Sequence, residues 1–321
     1  MKKQFVSEIK AGDAVDDAFV LAEKTMSHKK DGKPYLNVTL ADKSGTIKGV
    51  IWDRADEIAE TVSAGDFVEV RAAVGEYREA LQMVVRHIQA LAADAVDPAD
   101  FLPMTGRNIE GMLERLMQIT AGLQTSYLRA LFEAFWQDAD FVQQFKRAPA
   151  AKKMHHAYIG GLLEHTLSMA LLTERIAGHY NGVNREMLLA GAILHDIGKV
   201  RELDFRFRID YTDEGRLLSH IVIGLQLIDA KIKEIRGFPP EQAFLLKHMV
   251  VSHHGTREFG SPELPKTIEA VLLNYIDEMD SKVNGIRDFI AADESGEGWT
   301  AYHRLWGRQF YTGKGKEEKK P

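Results

Sequence analysis

Leu194-His195-Asp196-Ile197-Gly198-Lys199 sets an imidazole and a carboxylate side by side at the end of the apolar run 187–194. A helix of that composition would be buried, and an ionised Asp emerging from a dry surface is costly unless it is paired or bound to a cation. Taken alone, the pair is readable as a structural ion pair. Its weight comes from the residues that gather around it in order: His165, His220, the pair His253-His254, and Asp277. That mixed nitrogen and oxygen set suits Mn, Fe, Co, Ni or Zn. The chain has no Cys, so thiolate metal sites, cysteine nucleophiles and disulfides are all excluded.

Other residues are placed to serve the same chemistry. Lys199 follows His195 by four positions, nearly the same helical face, where its ammonium could meet a phosphate; the plainer reading is a lysine near a helix C-terminus. His155 and His156 lie close enough to His165 in sequence to line the same pocket and touch substrate. Asp280 follows Asp277 by about one helical turn and is a candidate to orient a ligand.

The elements that must position these residues change character along the chain. Over residues 14–91 the hydrophobic period is mostly two: Leu36, Val38 and Leu40 alternate with Tyr35, Asn37 and Thr39, between the turn signals Lys30-Asp31-Gly32 and Asp42-Lys43-Ser44-Gly45. A further strand is expected over 46–52, a short helix from an Asp53 cap through Ala64, and two more strands over 67–74 and 80–88. Three strands, a helix and two strands is the order of an OB-fold, a small barrel that binds oligonucleotides. Tyr35, Lys48, Trp52, Arg71, Tyr77 and Arg78 are its candidates for stacking on bases or neutralising phosphates. Residues 92–106 carry Asp97-Pro98 and Leu102-Pro103 without a sustained period and read as a linker. Beyond them Ile109, Met112, Leu113, Leu116 and Ile119, then Leu128, Leu131, Phe132 and Phe135, trace helical stripes, and helices are expected to continue to near Phe310.

The 321 residues and 45% hydrophobic content fit two globular domains. A net charge of −6 argues against coating nucleic acid by bulk charge and leaves room for a local basic groove. The first residues have no apolar core behind Lys2-Lys3, and no apolar stretch approaches a membrane span, so a cytoplasmic protein with no membrane partner is expected.

Resemblance adds to this. Gly32-Lys33-Pro34-Tyr35-Leu36-Asn37-Val38-Thr39-Leu40-Ala41-Asp42, followed by Gly45-Thr46-Ile47, resembles the OB-fold module of the tRNA-anticodon-binding type. His165, His195-Asp196 and Asp277 resemble the HD superfamily of metal-dependent phosphohydrolases. That resemblance implies one metal on His165, His195, Asp196 and Asp277. His220, His253 and His254 resemble the ligands of two-metal members, with Asp196 as the bridge. The order of an OB module and an HD module, with the stretches 155–166, 217–221 and 252–255, is similar to the YhaM-type 3′→5′ exoribonuclease family. The family implies a catalytic centre on His195, Asp196 and Lys199, two divalent ions with Mn foremost, and degradation of single-stranded RNA to mononucleotides. It leaves single-stranded DNA open as a second substrate.

The expected architecture is multidomain, β plus all-α: an N-terminal OB-fold barrel over 1–92, a linker over 93–106, an all-helical HD domain over 107–312 with its metal core at about 150–285, and a charged disordered tail over 313–321. Two departures stand out. Tyr77-Arg78-Glu79-Ala80 lacks the Gly often found in that turn, and Gly161 stands where a Glu would suggest a third metal. The competing readings are an HD phosphohydrolase of nucleotides or cyclic dinucleotides, and a non-catalytic RNA-binding protein.

Overall fold

The computed structural model describes residues 2–29, 31–78, 80–92, 95–152, 156–205, 209–293 and 298–313. The chain divides into two compact units, Met1–Met104 with Asp204–Asp210, and Thr105–Leu203 with Tyr211–Pro321.

The first unit is a closed five-stranded barrel. Strands β1 (Ala14–His28), β2 (Pro34–Asp42), β3 (Gly45–Ile51), β4 (Phe67–Tyr77) and β5 (Ala80–Ala90) close in the order β1-β2-β3-β5-β4, and β3 runs parallel to β5. The period-two pattern is what fills it: Phe19, Leu21, Leu36, Val38, Leu40, Ile47, Val70 and Met83 point inward and bury almost completely. Helix α1 is shorter than the sequence suggested, Ala55–Thr61, and Arg54 rather than Asp53 stands at its N-cap, in the left-handed region at φ 54°. At its other end the Lys24 ammonium donates to the carbonyls of Ala59 and Val62, 2.5 and 2.6 Å away, and so ties the last turn to β1. Arg78 takes φ 52° in the β4–β5 turn, the conformation a Gly would have supplied.

Part of the stretch expected as linker lies against the barrel. Phe101 is buried with its ring 4.7 Å from that of Phe67, and Val96 packs on the same cluster. A weak hydrophobic period hid this contact, because it is made by single side chains and not by a face.

The second unit is helical: α2 (Ile109–Ala121), α3 (Ser126–Trp136), α4 (Ala139–Arg147), α5 (Gly161–Ala177), α6 (Arg185–Leu194), α7 (Lys199–Glu202), α8 (Asp213–Glu234), α9 (Pro240–Ser252) and α10 (Ile268–Ala291). Side chains of Asn108, Asp138, Asn184, Thr212 and Thr267 accept a backbone N–H three residues on and start α2, α4, α6, α8 and α10. Helix α6 is buried from Met187 to Leu194 and packs against α5, α9 and α10. Helix α8 is broken at Ser219, which adopts φ 60° and ψ 161°.

Helices stop earlier than expected. After Ala291 the described chain is an irregular hairpin, with Trp299 bridged to Tyr311 and His303 to Arg308. Its aromatic residues supply apolar content without a sustained helical period, and Gly298, Gly307 and Gly313 take positive φ and turn the backbone. The tail expected to be disordered, beyond residue 313, lies outside the described residues.

Candidate metal centre

Five helical elements deliver the ligand candidates to one point. His165 comes from the first turns of α5; His195 ends α6 and Asp196 follows it; His220 lies just past the break in α8; His253 ends α9 and His254 follows; Asp277 is on α10. All are at least largely buried, and His195 and His253 are fully so.

The two oxygens of Asp196 face different neighbours. Its Oδ2 lies 3.4 Å from His195 Nε2 and 3.7 Å from His165 Nε2, and His165 Nε2 is 3.4 Å from Asp277 Oδ1. Its Oδ1 lies 3.5 Å from His220 Nε2 and 3.6 Å from His253 Nε2. His254 completes a group with His220 and His253 whose ligand atoms all lie within 4.8 Å of one another. Ligands bound at roughly 2.0–2.2 Å stand about 3–3.5 Å apart around one ion, so both halves have near-ligating spacing.

The outer nitrogens of four imidazoles fix their tautomers. His195 Nδ1 donates to the carbonyl of Ala192 at 3.0 Å, and His253 Nδ1 to that of Val250 at 2.7 Å. His165 Nδ1 meets Asp280 Oδ2 at 2.9 Å, and His220 Nδ1 meets Glu202 Oε1 at 2.9 Å. Carbonyl and carboxylate oxygens only accept here, so a proton sits on Nδ1 and, in the neutral ring, each Nε2 has a lone pair to offer a cation beside Asp196. Burial, together with His195 and His254, pushes His253 well below the usual imidazole range, and burial lowers His254 too. Those rings are neutral and ready to ligate. Burial also opposes charge on His165, but hydrogen bonds to Asp277 and Asp280 outweigh it and lift the ring to about 9 in the absence of a cation.

Among the described residues, four buried atoms at the centre have no hydrogen-bond partner: Asp196 Oδ1, His220 Nε2, His253 Nε2 and His254 Nδ1. Left so, each would cost about 1–3 kcal/mol. Three of them are lone-pair donors converging on one point, which is what a bound cation satisfies. The residues present therefore fit a divalent metal.

Lys199 opens α7 and its Nζ donates to Asp196 Oδ2 at 2.6 Å. Burial lowers its affinity for a proton, but Asp196 beside it more than compensates, so it stays cationic. The expected contact with a substrate phosphate is thus preceded by a contact with the central carboxylate. His156 is 2% exposed and faces inward: its Nδ1 is 2.6 Å from the Tyr158 hydroxyl and its Nε2 is 3.7 Å from Asp280 Oδ2. That packs it beside Asp280 and behind His165, whereas the sequence reading expected it to line the pocket and touch substrate. His155 lies outside the described residues. The sequence reading missed Glu202 altogether; its only signal was an acid seven residues after His195, and it lies in the separate short helix α7.

Glycine geometry explains two motif positions. A Cβ on Gly198 would lie 2.0 Å from the His220 carbonyl oxygen, so α7 can reach His220 only with no side chain there. A Cβ on Gly161 would lie 2.0 Å from the His156 carbonyl oxygen, which leaves no room for the Glu of a third metal site.

Two cavities flank the centre. One, about 360 Å³, is bordered by Lys152, Lys199, Tyr211 and His220; the other, about 400 Å³, by His254, Phe259, Tyr275, Asp277 and Trp306.

On the barrel, the outer-face candidates fall into separate places. Tyr35 and Trp52 lie with ring centroids 4.9 Å apart and the Lys29 ammonium sits 4.7 Å over Trp52, which is 41% exposed. Lys48 is exposed on β3. Tyr77 is exposed at the β4–β5 turn, where the Arg78 guanidinium is 5.3 Å from its ring. Arg71, on β4, is paired with Asp16 at 3.3 Å.

Sequence profiles match an HD domain over residues 162–282, an OB-fold nucleic acid binding domain over 20–91, and a putative helicase over 95–181, a stretch holding only His165 among the ligand candidates. The 3′-5′ exoribonuclease YhaM of Geobacillus sp. (strain WCH70) is 36% identical over 301 residues, 94% of this chain and 92% of that protein. Among solved structures, the second OB-fold domain of replication protein A from Methanococcus maripaludis is 22% identical, with TM-score 0.23, over 27% of this chain and 93% of that one. The mitochondrial single-stranded DNA binding protein Rim1 of S. cerevisiae is 18% identical, with TM-score 0.22, over 26% and 97%.

Proposed function

The chain belongs to the YhaM family of 3′-5′ exoribonucleases, and we propose that its metal-dependent hydrolysis takes place at the His-Asp centre of the helical unit, on two divalent ions. His165, His195, Asp277 and Asp196 Oδ2 would hold one; Asp196 Oδ1, His220, His253 and His254 would hold the other. Mn is the expected metal, since this nitrogen-rich set disfavours hard cations such as Ca. The observation that carries the reading is the single carboxylate whose two oxygens face two separate groups of imidazoles.

Bound there, divalent cations supply an ionised water at neutral pH and Lewis-acid stabilisation of the phosphate. The chain's own residues do the rest. Asp280, Glu202 and the two carbonyls hold the imidazoles in the tautomer that ligates. Lys199 and Lys152 bring positive charge to one border of the centre, where a phosphate of the strand would sit. The barrel, an OB-fold nucleic acid binding domain, supplies the single-stranded nucleic acid, with RNA as the substrate proposed; Trp52, Tyr35 and Lys29 form the most compact place for a base to stack.

The test is digestion, with Mn and with chelator, of 3′-labelled, 5′-labelled and 3′-blocked RNA beside a cyclic dinucleotide. The 3′ label should leave first as a mononucleotide, the blocked RNA should persist, and chelator should stop both. Preferential opening of the cyclic dinucleotide would overturn the reading in favour of a nucleotide phosphodiesterase.

A further inference from the structure

We infer that the cavity on the Asp277 and His254 side is a base-stacking subsite for the 3′-terminal nucleotide, walled by Phe259, Tyr275 and Trp306. The inference rests on the exonuclease reading above and deepens it by assigning the two sides of the centre.

Charge separates the sides. A strand entering the centre carries a phosphate at each upstream nucleotide, so its path needs cations, and Lys152 and Lys199 border only the smaller cavity. The terminal nucleotide has no phosphate beyond the scissile one, so its site needs none. Among the described residues that line the larger cavity the one Lys or Arg is Lys282, paired with Glu278 on the same helix, and three aromatic rings stand there beside Asp277 with the polar side chains of Thr256, Asn274 and Ser281. Its volume of about 400 Å³ lies within the range of small-molecule sites, roughly 300–1,000 Å³.

The walls come from three parts of the chain. Phe259 stands in the short turn Arg257–Phe259 after the His253-His254 pair and is 70% exposed; Tyr275, two residues before Asp277, is 63% exposed. Such large exposed rings beside a buried polar centre lack the packing role that would explain them. Trp306 is different, because the hairpin holds it. Its ring stacks on His303 at 4.2 Å and meets Phe310 edge-on at 5.5 Å, while His303 packs edge-on against Phe289 of α10 at 4.5 Å. A rigid indole is a preorganised face for a base, and stacking is indifferent to which base arrives. In the reaction, the water oxygen bonds to phosphorus, the bond from phosphorus to the 3′ oxygen of the preceding nucleotide breaks, and that oxygen takes a proton. The terminal nucleotide then leaves this cavity as a nucleoside 5′-monophosphate.

The experiment compares full-length protein on two RNAs, identical except that one has an abasic 3′-terminal nucleotide. Wild type should remove the normal terminal nucleotide about tenfold or more faster in kcat/KM. Trp306→Ala should bring that ratio toward one, and Trp306→Phe should restore most of it. Phe259→Ala, at an exposed position, should lower it in part and serves if the Trp306 variant fails to fold. In parallel, adenosine 5′-monophosphate should inhibit wild type more strongly than ribose 5-phosphate, and Trp306→Ala should narrow the difference. Equal rates on both RNAs by wild type, or an unchanged ratio in folded Trp306→Ala and Phe259→Ala, would overturn the subsite. Release of internal fragments in place of mononucleotides would instead overturn the exonuclease reading beneath it.

Discussion

The ligand cluster and the outer face of the barrel treat polar and aromatic side chains in opposite ways. In the cluster, imidazoles and carboxylates are largely buried, four of the imidazoles are held by a second group, and several lone pairs converge without a partner among the described residues. On the barrel, Trp52, Tyr77 and Lys48 stand exposed and are held by little beyond a neighbouring ring or cation. Bond cleavage demands fixed geometry, whereas holding a strand of any sequence demands contacts that tolerate rearrangement. Damage should therefore be all-or-none in one region and graded in the other.

The largest effect should come from Asp196→Ala, which removes the carboxylate facing both groups. Turnover of long and very short RNA should fall by more than the 10²–10³ typical of one lost electrostatic contact. A folded Asp196→Ala protein with near-normal activity would mean that the two groups of imidazoles are not one centre.

Next come the residues behind the ligands. Asp280→Asn and Glu202→Gln should each weaken metal binding by about 10–100-fold, read by metal titration of the chelated protein. Unchanged affinity with a normal fold would reduce these carboxylates to packing.

Metal binding should also depend on pH. His165 is raised to about 9 without a cation, and a metal must displace its proton. Apparent affinity should therefore strengthen as pH rises toward 9, by up to about tenfold per unit for one proton released, and flatten above it. The proton's own stabilising effect runs the other way: in chelated protein His165 contributes stability fully below its unfolded value near 6.5, and that contribution is lost as pH climbs through about 9. Metal titrations between pH 6.5 and 9.5 with a flat affinity would contradict the assignment of His165 as a ligand.

The smallest effects belong to the barrel. Trp52→Ala should weaken binding of long single-stranded RNA about tenfold, and Lys48→Ala should reduce the slope of log affinity against log salt by about 0.7. Neither should alter cleavage of a dinucleotide. If Trp52→Ala slows dinucleotide cleavage as much as it weakens long-strand binding, the contrast between the two regions fails.

The same contrast sets what the sequence reveals. His165, His195, Asp196, His220, His253, His254 and Asp277 could be picked out because each is an improbable residue type in an apolar context. The barrel's strand order followed from its period of two, whose inward residues are the ones buried. Glu202 gave little sign, since it acts across 18 residues and only the break at Ser219 turns the His220 N–H and ring onto it. His156 misled because a His near a ligand His in sequence says nothing of which way it faces. Trp306 was invisible for a third reason: its hairpin has neither helical nor strand periodicity.

The backing of the four imidazoles bears on the order in which the centre assembles. His195 and His253 are each aimed by a carbonyl three residues behind in the same helix end, whereas His165 needs Asp280, 115 residues away, and His220 needs Glu202 across a break in α8. The first pair is set as soon as α6 and α9 form; the second waits for chain closure over long loops, whose entropy must be overcome first. A chain with its helices made but α10 undocked from α5, and α7 not yet packed on α8, would present only half of the aimed nitrogens. The ion therefore binds the finished fold far better than any partly folded one, and each tenfold rise in its concentration above the dissociation constant adds about 1.4 kcal/mol to the stability of the helical unit.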